Sequence, residues 1–261
     1  MTNKILFIAN WKMFGDLKSI KSIESVINIC KKKRYRKAKI IYCPPFTLLN
    51  NFVIKTKKST ISIGAQNCHH ENDPGPFTGS ISSSMIKKIG AEYVIVGHSE
   101  NRSNGETNKQ INDKIRNAIT NNLNVIFCIG ESLSDKKNKK TNSIISKQIN
   151  LGLNKIEKIN KIIFAYEPVW SIGTGKVLKN QDLKKQILNI KNIIFKKFRK
   201  QKAKIIYGGS VNNKNINDLK QIIQLDGFLI GGASQNSKKF IDIIKKTINQ
   251  NKWKIYYLLS I

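Results

Sequence analysis

The sequence has no apolar run that approaches the roughly 18 residues of a membrane-spanning helix. Its N-terminal segment, MTNKILFIAN, has only a short apolar run after Lys4, and this run is too short for the core of a secretory signal peptide. The same run is typical of a β-strand. We therefore expect a cytoplasmic protein with no membrane partner.

Residues that form disulfides or bind metals are scarce in this chain. No Cys-x-x-Cys pair occurs among the four cysteines, so we expect free thiols and no zinc ligation at Cys30, Cys43, Cys68 and Cys128. Two of the three histidines, His69 and His70, lie in a loop-like stretch. His98 is therefore the leading candidate for imidazole chemistry.

Acidic residues are also few. The chain has 16 Asp and Glu against 47 Lys and Arg, which gives a formal net charge of +31. One interpretation is a surface that binds nucleic acid or a membrane. The other is compositional bias, because only five of the basic residues are arginine, the residue that sequence-reading sites favour. The lysines are spread over nearly every predicted helix. We favour bias and expect no specific nucleic-acid partner, with a basic nucleic-acid-binding protein on a barrel scaffold as the alternative.

Eight short runs rich in Ile, Val, Phe and Tyr alternate with longer, partly polar segments. We predict strands at 5–10, 38–43, 60–65, 92–97, 124–130, 161–166, 203–208 and 226–232. Helices are predicted between them, among others at 17–33, 106–121, 140–158 and 179–200, with a short one at 217–223. This pattern predicts an α/β protein with a single (β/α)8 barrel, eight parallel strands ringed by helices, over residues 1–251. Residues 252–261 form a C-terminal extension of unknown role.

Polar residues follow several predicted strands, at the barrel end where this fold places its chemistry. Glu167 ends strand six in the segment AYEPVWSIGTGK, and a carboxylate there is either catalytic or the structural partner of a lysine. Further candidates follow strands one and four: Asn10, Lys12, His98 and Glu100. Asn10 could instead cap a turn, and Glu100 could be an ordinary acid of a helix N-terminus.

Paired glycines follow strands seven and eight, in YGGSV and GGAS. Such turns let backbone N–H groups approach an anion, and adjacent turns of this kind in a barrel favour phosphate binding. The segment GTGK is not a nucleotide-binding P-loop, because Val177 stands where that motif needs Ser or Thr. A glycosidase that uses Glu167 with Glu131 is a further alternative, made less favourable by the phosphate-type turns.

The ordered set of motifs resembles the triosephosphate isomerase family over about residues 5 to 248. The motifs are NWKMFG, GAQNC, FTGSIS, VGHSENR, FCIGE, AYEPVWSIGTGK, YGGSV and GGAS. The resemblance implies the TIM-barrel fold and the interconversion of dihydroxyacetone phosphate and glyceraldehyde 3-phosphate, with no cofactor and no metal.

The resemblance also implies the roles of individual residues. Glu167 is the base, His98 polarises the carbonyl, and Asn10 and Lys12 hold the substrate, with Glu100 beside Lys12. Substrate binding is implied for Asn10, Trp11, Lys12, Gly173, Ser210, Gly231 and Gly232. The segment after Glu167 is implied to be a lid over the site.

The long loop 67–82 resembles the loop by which each subunit of the family inserts into its partner. A homodimer is therefore implied, with Thr78 reaching the neighbouring site. Two positions depart from the family, which commonly has glutamate where Ser80 stands and arginine where Asn101 stands. Because the family's two charges meet across the dimer interface, their joint loss predicts that the two positions are coupled.

Overall fold

The computed structural model describes residues 4–172, 178–199 and 201–249. All eight predicted strands are present and pair in parallel, in the order β1 to β8, with β8 closing on β1. The predicted (β/α)8 barrel is therefore confirmed. The strands are β1 Ile5–Asn10, β2 Ala38–Cys43, β3 Ser62–Ala65, β4 Tyr93–Val96, β5 Asn124–Ile129, β6 Ile162–Tyr166, β7 Lys204–Tyr207 and β8 Gly227–Ile230.

Helices follow the strands and pack against the outside of the barrel. They are α1 Ile23–Cys30, α2 Phe46–Thr56, α3 Ser83–Lys88, α4 Ser99–Ser103, α5 Asn108–Thr120, α6 Leu133–Lys137, α7 Thr141–Gly152, α8 Asn180–Lys197, α9 Ile216–Leu219 and α10 Ser237–Ile248. Short 3-10 turns lie at Leu17–Ser22, Lys33–Tyr35, Val169–Ser171 and Gly232–Gln235. Within the described ranges, no helix is both long and apolar enough to span a bilayer.

The single helix predicted at 17–33 is wrong in its extent. Only α1 is α-helical, because Ile23, Val26 and Ile29 supply its buried face and the next four residues, 31–34, are basic and exposed. The helix predicted at 140–158 ends early, at Gly152, and Lys155 then adopts a left-handed backbone with φ 59°. Residues 252–261 lie outside the described residues, so their role stays open.

Alternation along each strand divides the core into two layers. In β6, Ile163 and Ala165 point into the barrel, whereas Phe164 and Tyr166 point outward into the layer beneath the helices. The inner layer is small and apolar, and consists of Leu6, Ile8, Ile41, Cys43, Ile95, Ile126, Cys128, Ile163, Ala165, Ile206 and Leu229. Because the strands are parallel, their C-terminal ends meet at one rim, and a residue two beyond an inward one also faces the barrel axis.

Candidate active site

Glu167 is the first residue after β6 and continues the inward positions of Ile163 and Ala165. It is only 2% exposed. Burial raises the pKa of the Glu167 carboxyl, and nearby His98, the Ser99 backbone N–H and the Cys128 thiol only partly offset this. A carboxylate with a raised pKa is a stronger proton acceptor, as a general base requires.

The position of Glu167 depends on a missing side chain on the neighbouring strand. A Cβ atom at Gly208, directly after β7, would lie 2.8 Å from Cγ of Glu167. Because this is closer than real Cβ contacts, any larger residue at position 208 would displace the carboxylate.

His98 is the N-cap of α4, and its Nδ1 accepts the backbone N–H of Glu100 at 3.2 Å. An Nδ1 atom that accepts a hydrogen bond carries no proton, so the hydrogen of the neutral ring is on Nε2. Nε2 lies 3.4 Å from Oε1 of Glu167. The imidazole therefore presents a donor to the same space that the carboxylate faces.

Lys12 brings a cation to the rim through an unusual backbone conformation, with φ 55°. Two polar side chains hold this conformation: the Lys12 N–H donates to Oδ1 of Asn10 at 3.1 Å, and its carbonyl accepts Nε2 of Gln66 at 2.8 Å. The Lys12 ammonium forms an ion pair with Glu100. The candidates after strands one and four are thus brought together at one place.

The two glycine-rich turns form the opposite wall of the same cleft. Its volume is about 320 Å³. It is lined by Asn10, Lys12, His98, Glu167, Ile172, Gly208, Gly209, Ser210, Val211, Asn212, Leu229, Gly231, Gly232, Ala233 and Gln235. Backbone N–H groups of turns that precede helical segments are suited to bind an anion such as phosphate.

Comparison with known proteins matches this arrangement to one family. A family model described as triosephosphate isomerase covers residues 5–247. The chain belongs to the triosephosphate isomerase family. The enzyme from Dictyoglomus thermophilum is 42% identical over 253 residues, which cover 94% of this chain and 100% of the relative. The enzyme from Yarrowia lipolytica is 40% identical over 242 residues, covering 92% and 96%.

A crystal structure of triosephosphate isomerase from Bartonella henselae matches the fold with a TM-score of 0.84 at 30% identity. The match covers 93% of this chain and 98% of that one. None of these relatives is named as a nucleic-acid-binding protein, so the comparisons lend no support to that alternative.

Of the residues predicted to bind substrate, Trp11 does not line the cleft and Gly173 cannot be placed. The Trp11 side chain is buried outside the barrel against Tyr42 and Phe52, and its indole N–H donates to the Ser234 carbonyl at 3.1 Å. It therefore supports the turn that carries Gly231 and does not line the cleft. Gly173, with the rest of the predicted lid at 173–177, lies outside the described residues.

Glu131 does not face Glu167 across the cleft, as a paired-carboxylate glycosidase would require. Its buried carboxylate accepts the Tyr166 hydroxyl at 3.1 Å and the Trp170 indole N–H at 3.1 Å. Burial raises the pKa of the Glu131 carboxyl. Tyr166 points outward and Glu167 points inward, so the carboxylates of Glu131 and Glu167 lie on opposite sides of β6. They cannot act as a pair on one substrate, and the structure therefore does not support the glycosidase alternative.

Several contributors to the site were not predicted. Ser171 Oγ lies 3.1 Å from the Tyr207 hydroxyl and accepts the Ser210 N–H at 3.4 Å, which ties the segment after Glu167 to the first phosphate-type turn. Cys128 was predicted only as a free thiol, yet it lies beside the Glu167 carboxylate. Strand parity is the signal that could have found Cys128, since inward positions of neighbouring strands meet.

Proposed function

We propose that this member of the triosephosphate isomerase family interconverts dihydroxyacetone phosphate and D-glyceraldehyde 3-phosphate through an enediolate. The observation that carries the proposal is the buried Glu167 carboxylate facing a donor Nε2 of His98 at 3.4 Å, in a cleft shared with Lys12 and two glycine-rich turns. A base, an oxyanion stabiliser and a phosphate site are what an aldose–ketose isomerisation of a phosphorylated triose needs.

In the proposed reaction, Glu167 removes a proton from the carbon next to the carbonyl. The C–H electron pair forms the carbon–carbon double bond, and negative charge develops on the carbonyl oxygen. His98 and Lys12 stabilise that oxygen. A proton moves between the two oxygens, and Glu167 returns its proton to the neighbouring carbon, so the reaction balances without an external oxidant or reductant.

The remaining site residues have supporting roles in this proposal. Glu100 fixes the Lys12 ammonium, and Asn10 holds the strained Lys12 backbone while lining the cleft. Backbone groups at Ser210, Gly231 and Gly232 bind the phosphate. A contribution from Gly173 is proposed from the sequence alone.

A coupled spectrophotometric assay on the purified chain tests the activity in both directions. We expect turnover of both triose phosphates and none of glyceraldehyde or dihydroxyacetone, which lack the phosphate. Absence of turnover in a preparation that is folded by circular dichroism would contradict the proposal.

We further propose a homodimer that forms through loop 67–82. Large apolar side chains are exposed in or near segments that follow β1, β2 and β3, which share one rim: Met13, Phe14, Leu17, Phe46, Phe77 and Met85. Met13 is 96% exposed, and side chains of this size are rarely left in water as a group. Two contacts within the subunit order the loop: the His69 N–H donates to the Ile81 carbonyl at 2.8 Å, and the tilted rings of His69 and Phe77 pack with their centroids 4.6 Å apart.

Light scattering after size exclusion tests the assembly. We expect twice the chain mass of 29.7 kDa, and dissociation on Phe77→Lys, which places a cation in the apolar contact. A monomer with full activity would contradict both the dimer and the reach of Thr78 to a neighbouring site. A cytoplasmic location is proposed from the family, and fractionation of the source cells tests it.

A further inference from the structure

The main-chain polar groups of β5 face its two neighbouring strands in turn. The Asn124 N–H donates to the Glu92 carbonyl, on the β4 side, and the Val125 N–H donates to the Lys161 carbonyl, on the β6 side. β4 ends at Val96 and the chain then turns away from the sheet. The even-numbered residues beyond that level therefore have no strand beside them on the β4 side.

Two side chains take the place of the missing strand at the next two even-numbered residues, Cys128 and Gly130. The guanidinium of Arg102 donates to the Cys128 carbonyl at 3.2 Å. The side-chain amide of Gln148, on α7, accepts the Gly130 N–H and donates to the Gly130 carbonyl, both at 2.9 Å. An amide side chain carries an acceptor and a donor side by side, so Gln148 alone satisfies both polar groups of Gly130.

The opposite side of the same short segment carries the backbone of Glu167. The Glu167 N–H donates to the Ile129 carbonyl at 2.8 Å, and the Val169 N–H donates to the Glu131 carbonyl at 3.0 Å. Between these two bonds, Gly130 lies so close that a Cβ atom on it would be 1.8 Å from the Glu167 carbonyl oxygen. A shift of Gly130 would therefore be passed directly to the main chain that carries the carboxylate.

We propose that Gln148 is a positioning residue for Glu167, acting through the backbone of Gly130. Gln148 belongs to a helix outside the barrel, does not line the cleft and does not touch the reacting atoms. Its amide fixes Gly130 from the β4 side, so that the Glu167 backbone on the β6 side keeps one position. A displacement of about 1 Å at a reacting group can cost about 100-fold in rate, so this support affects the reaction. The inference rests on the proposed function.

Two substitutions of similar shape separate positioning from stability. Gln148→Met removes both hydrogen bonds to Gly130. In Gln148→Glu, the ionised carboxylate only accepts hydrogen bonds and so repels the Gly130 carbonyl, whereas the protonated acid has both an acceptor and an O–H donor and restores the pair. Asn150→Asp is the matched control, because it makes the same change of amide to carboxylate at an exposed position of the same helix.

Gln148→Met is expected to lower kcat about ten-fold per folded chain at every pH, with KM changed less than about two-fold because the phosphate-type turns lie on other strands. For Gln148→Glu, the ratio of its kcat to that of the parent should be about 0.1 at about pH 8.5. The ratio should rise to about 0.5 or more at about pH 5, where the introduced carboxyl, at a half-buried position, is protonated. Asn150→Asp should keep a ratio near that of the parent throughout.

Hydrogen exchange followed by mass spectrometry reads the same link without any activity. In Gln148→Met, the amides of residues 162–169 should exchange faster than in the parent, because the Glu167 N–H is bonded to the segment that has lost its support. Exchange in α10, on the other side of the barrel closure, should be unchanged.

The inference is wrong if Gln148→Met lowers the melting temperature but keeps parental kcat, since the amide would then stabilise the fold without positioning the base. It is also wrong if the kcat ratio of Gln148→Glu does not change with pH, or if Asn150→Asp shows the same pH-dependent loss. Should Gln148→Met fail to fold, the pH dependence of Gln148→Glu decides alone.

A parent chain without isomerase activity would overturn the proposed function. Hydrogen exchange at residues 162–169 would still show whether Gln148 holds the backbone of Glu167, so the two failures are distinguishable.

Discussion

Nε2 of His98 lies 3.4 Å from Oε1 of Glu167, and both side chains are buried. The two groups come from different strands, and each is oriented by backbone interactions of its own: the His98 ring by the Glu100 N–H, and Glu167 by its hydrogen bond to Ile129. The imidazole donor and the carboxylate acceptor are therefore held within van der Waals contact of each other. In the proposed reaction they act on a carbonyl oxygen and on the carbon beside it.

The first prediction concerns the reach of the Glu167 carboxylate. Glu167→Asp keeps the charge but retracts it by one methylene, about 1 Å or more, and a displacement of that size can cost about 100-fold in rate. We expect kcat to fall by about that factor with little change in KM, in the coupled assay. Glu157→Asp, at an exposed position, is the control and should keep parental activity. Wild-type turnover in Glu167→Asp would show that another residue is the base.

The second prediction concerns stability and pH. Burial raises the pKa of Glu167 in the folded chain, so the folded state favours the protonated carboxyl. The stability contribution of such a group is full below its unfolded pKa, about 4.5, and is lost as pH rises through the folded value. Because glutamine cannot ionise, Glu167→Gln should unfold at a higher temperature than the parent at neutral pH, and this advantage should shrink toward pH 4.5. A difference in melting temperature that stays constant with pH would contradict the assignment.

Strand patterns and the polar residues that follow them were enough to predict the barrel and the rim that gathers Asn10, Lys12, His98 and Glu167. These predictions succeed because side chains alternate between the two faces of a strand, and because the C-terminal ends of parallel strands lie at one rim. The cation–π contact between Lys136 and Trp170, with the ammonium 3.6 Å from the ring centroid, was not predictable in this way. It joins two loops that are brought together only when the barrel closes, and nothing in the sequence distinguishes Lys136 from the other 41 lysines.

The partner of Glu106 was predictable only in part. Because the family's counterpart of Glu106 neighbours the arginine that Asn101 replaces, the resemblance predicts that Glu106 pairs instead with Arg102 or with one of the lysines. Here Glu106 forms a buried ion pair with Lys114 of α5, and the Lys114 ammonium also donates to Oδ1 of Asn67 at 3.0 Å. The partner of Glu106 thus comes from the next helix and reaches the start of loop 67–82, so the loss of arginine at 101 leaves Glu106 paired.

The third prediction tests the coupling of positions 80 and 101 across the proposed interface. Ser80→Glu alone should weaken the dimer, because it adds a charge without a partner, and Ser80→Glu with Asn101→Arg should recover it. We expect a coupling free energy of about 0.5–3 kcal/mol, the range for residues in contact, from dimer dissociation or denaturant midpoints of the four chains. Additivity within about 0.3 kcal/mol would show that the two positions do not meet.

The fourth prediction concerns the net charge of +31. A positive field attracts phosphorylated substrates, and salt screens it with a Debye length of about 10 Å at 0.1 M. We expect kcat/KM to fall as NaCl is raised, while kcat changes less. Binding to nucleic acid should be weak, independent of sequence and lost uniformly with salt. Sequence-selective binding that persists at about 0.15 M salt would contradict compositional bias.

The two layers of the core separate the helix surfaces, where substitutions are tolerated, from the rim, where the site residues contact one another. Most of the described helical lysines are exposed, and the outward layer of apolar side chains lies between them and the strands. Residues at the rim contact one another and the small inner layer, so a lysine added on a helix face away from the rim leaves their hydrogen bonds unchanged. A lineage whose base composition drives lysine into its proteins can therefore remodel the surface of this barrel extensively while the geometry between His98 and Glu167 is inherited intact.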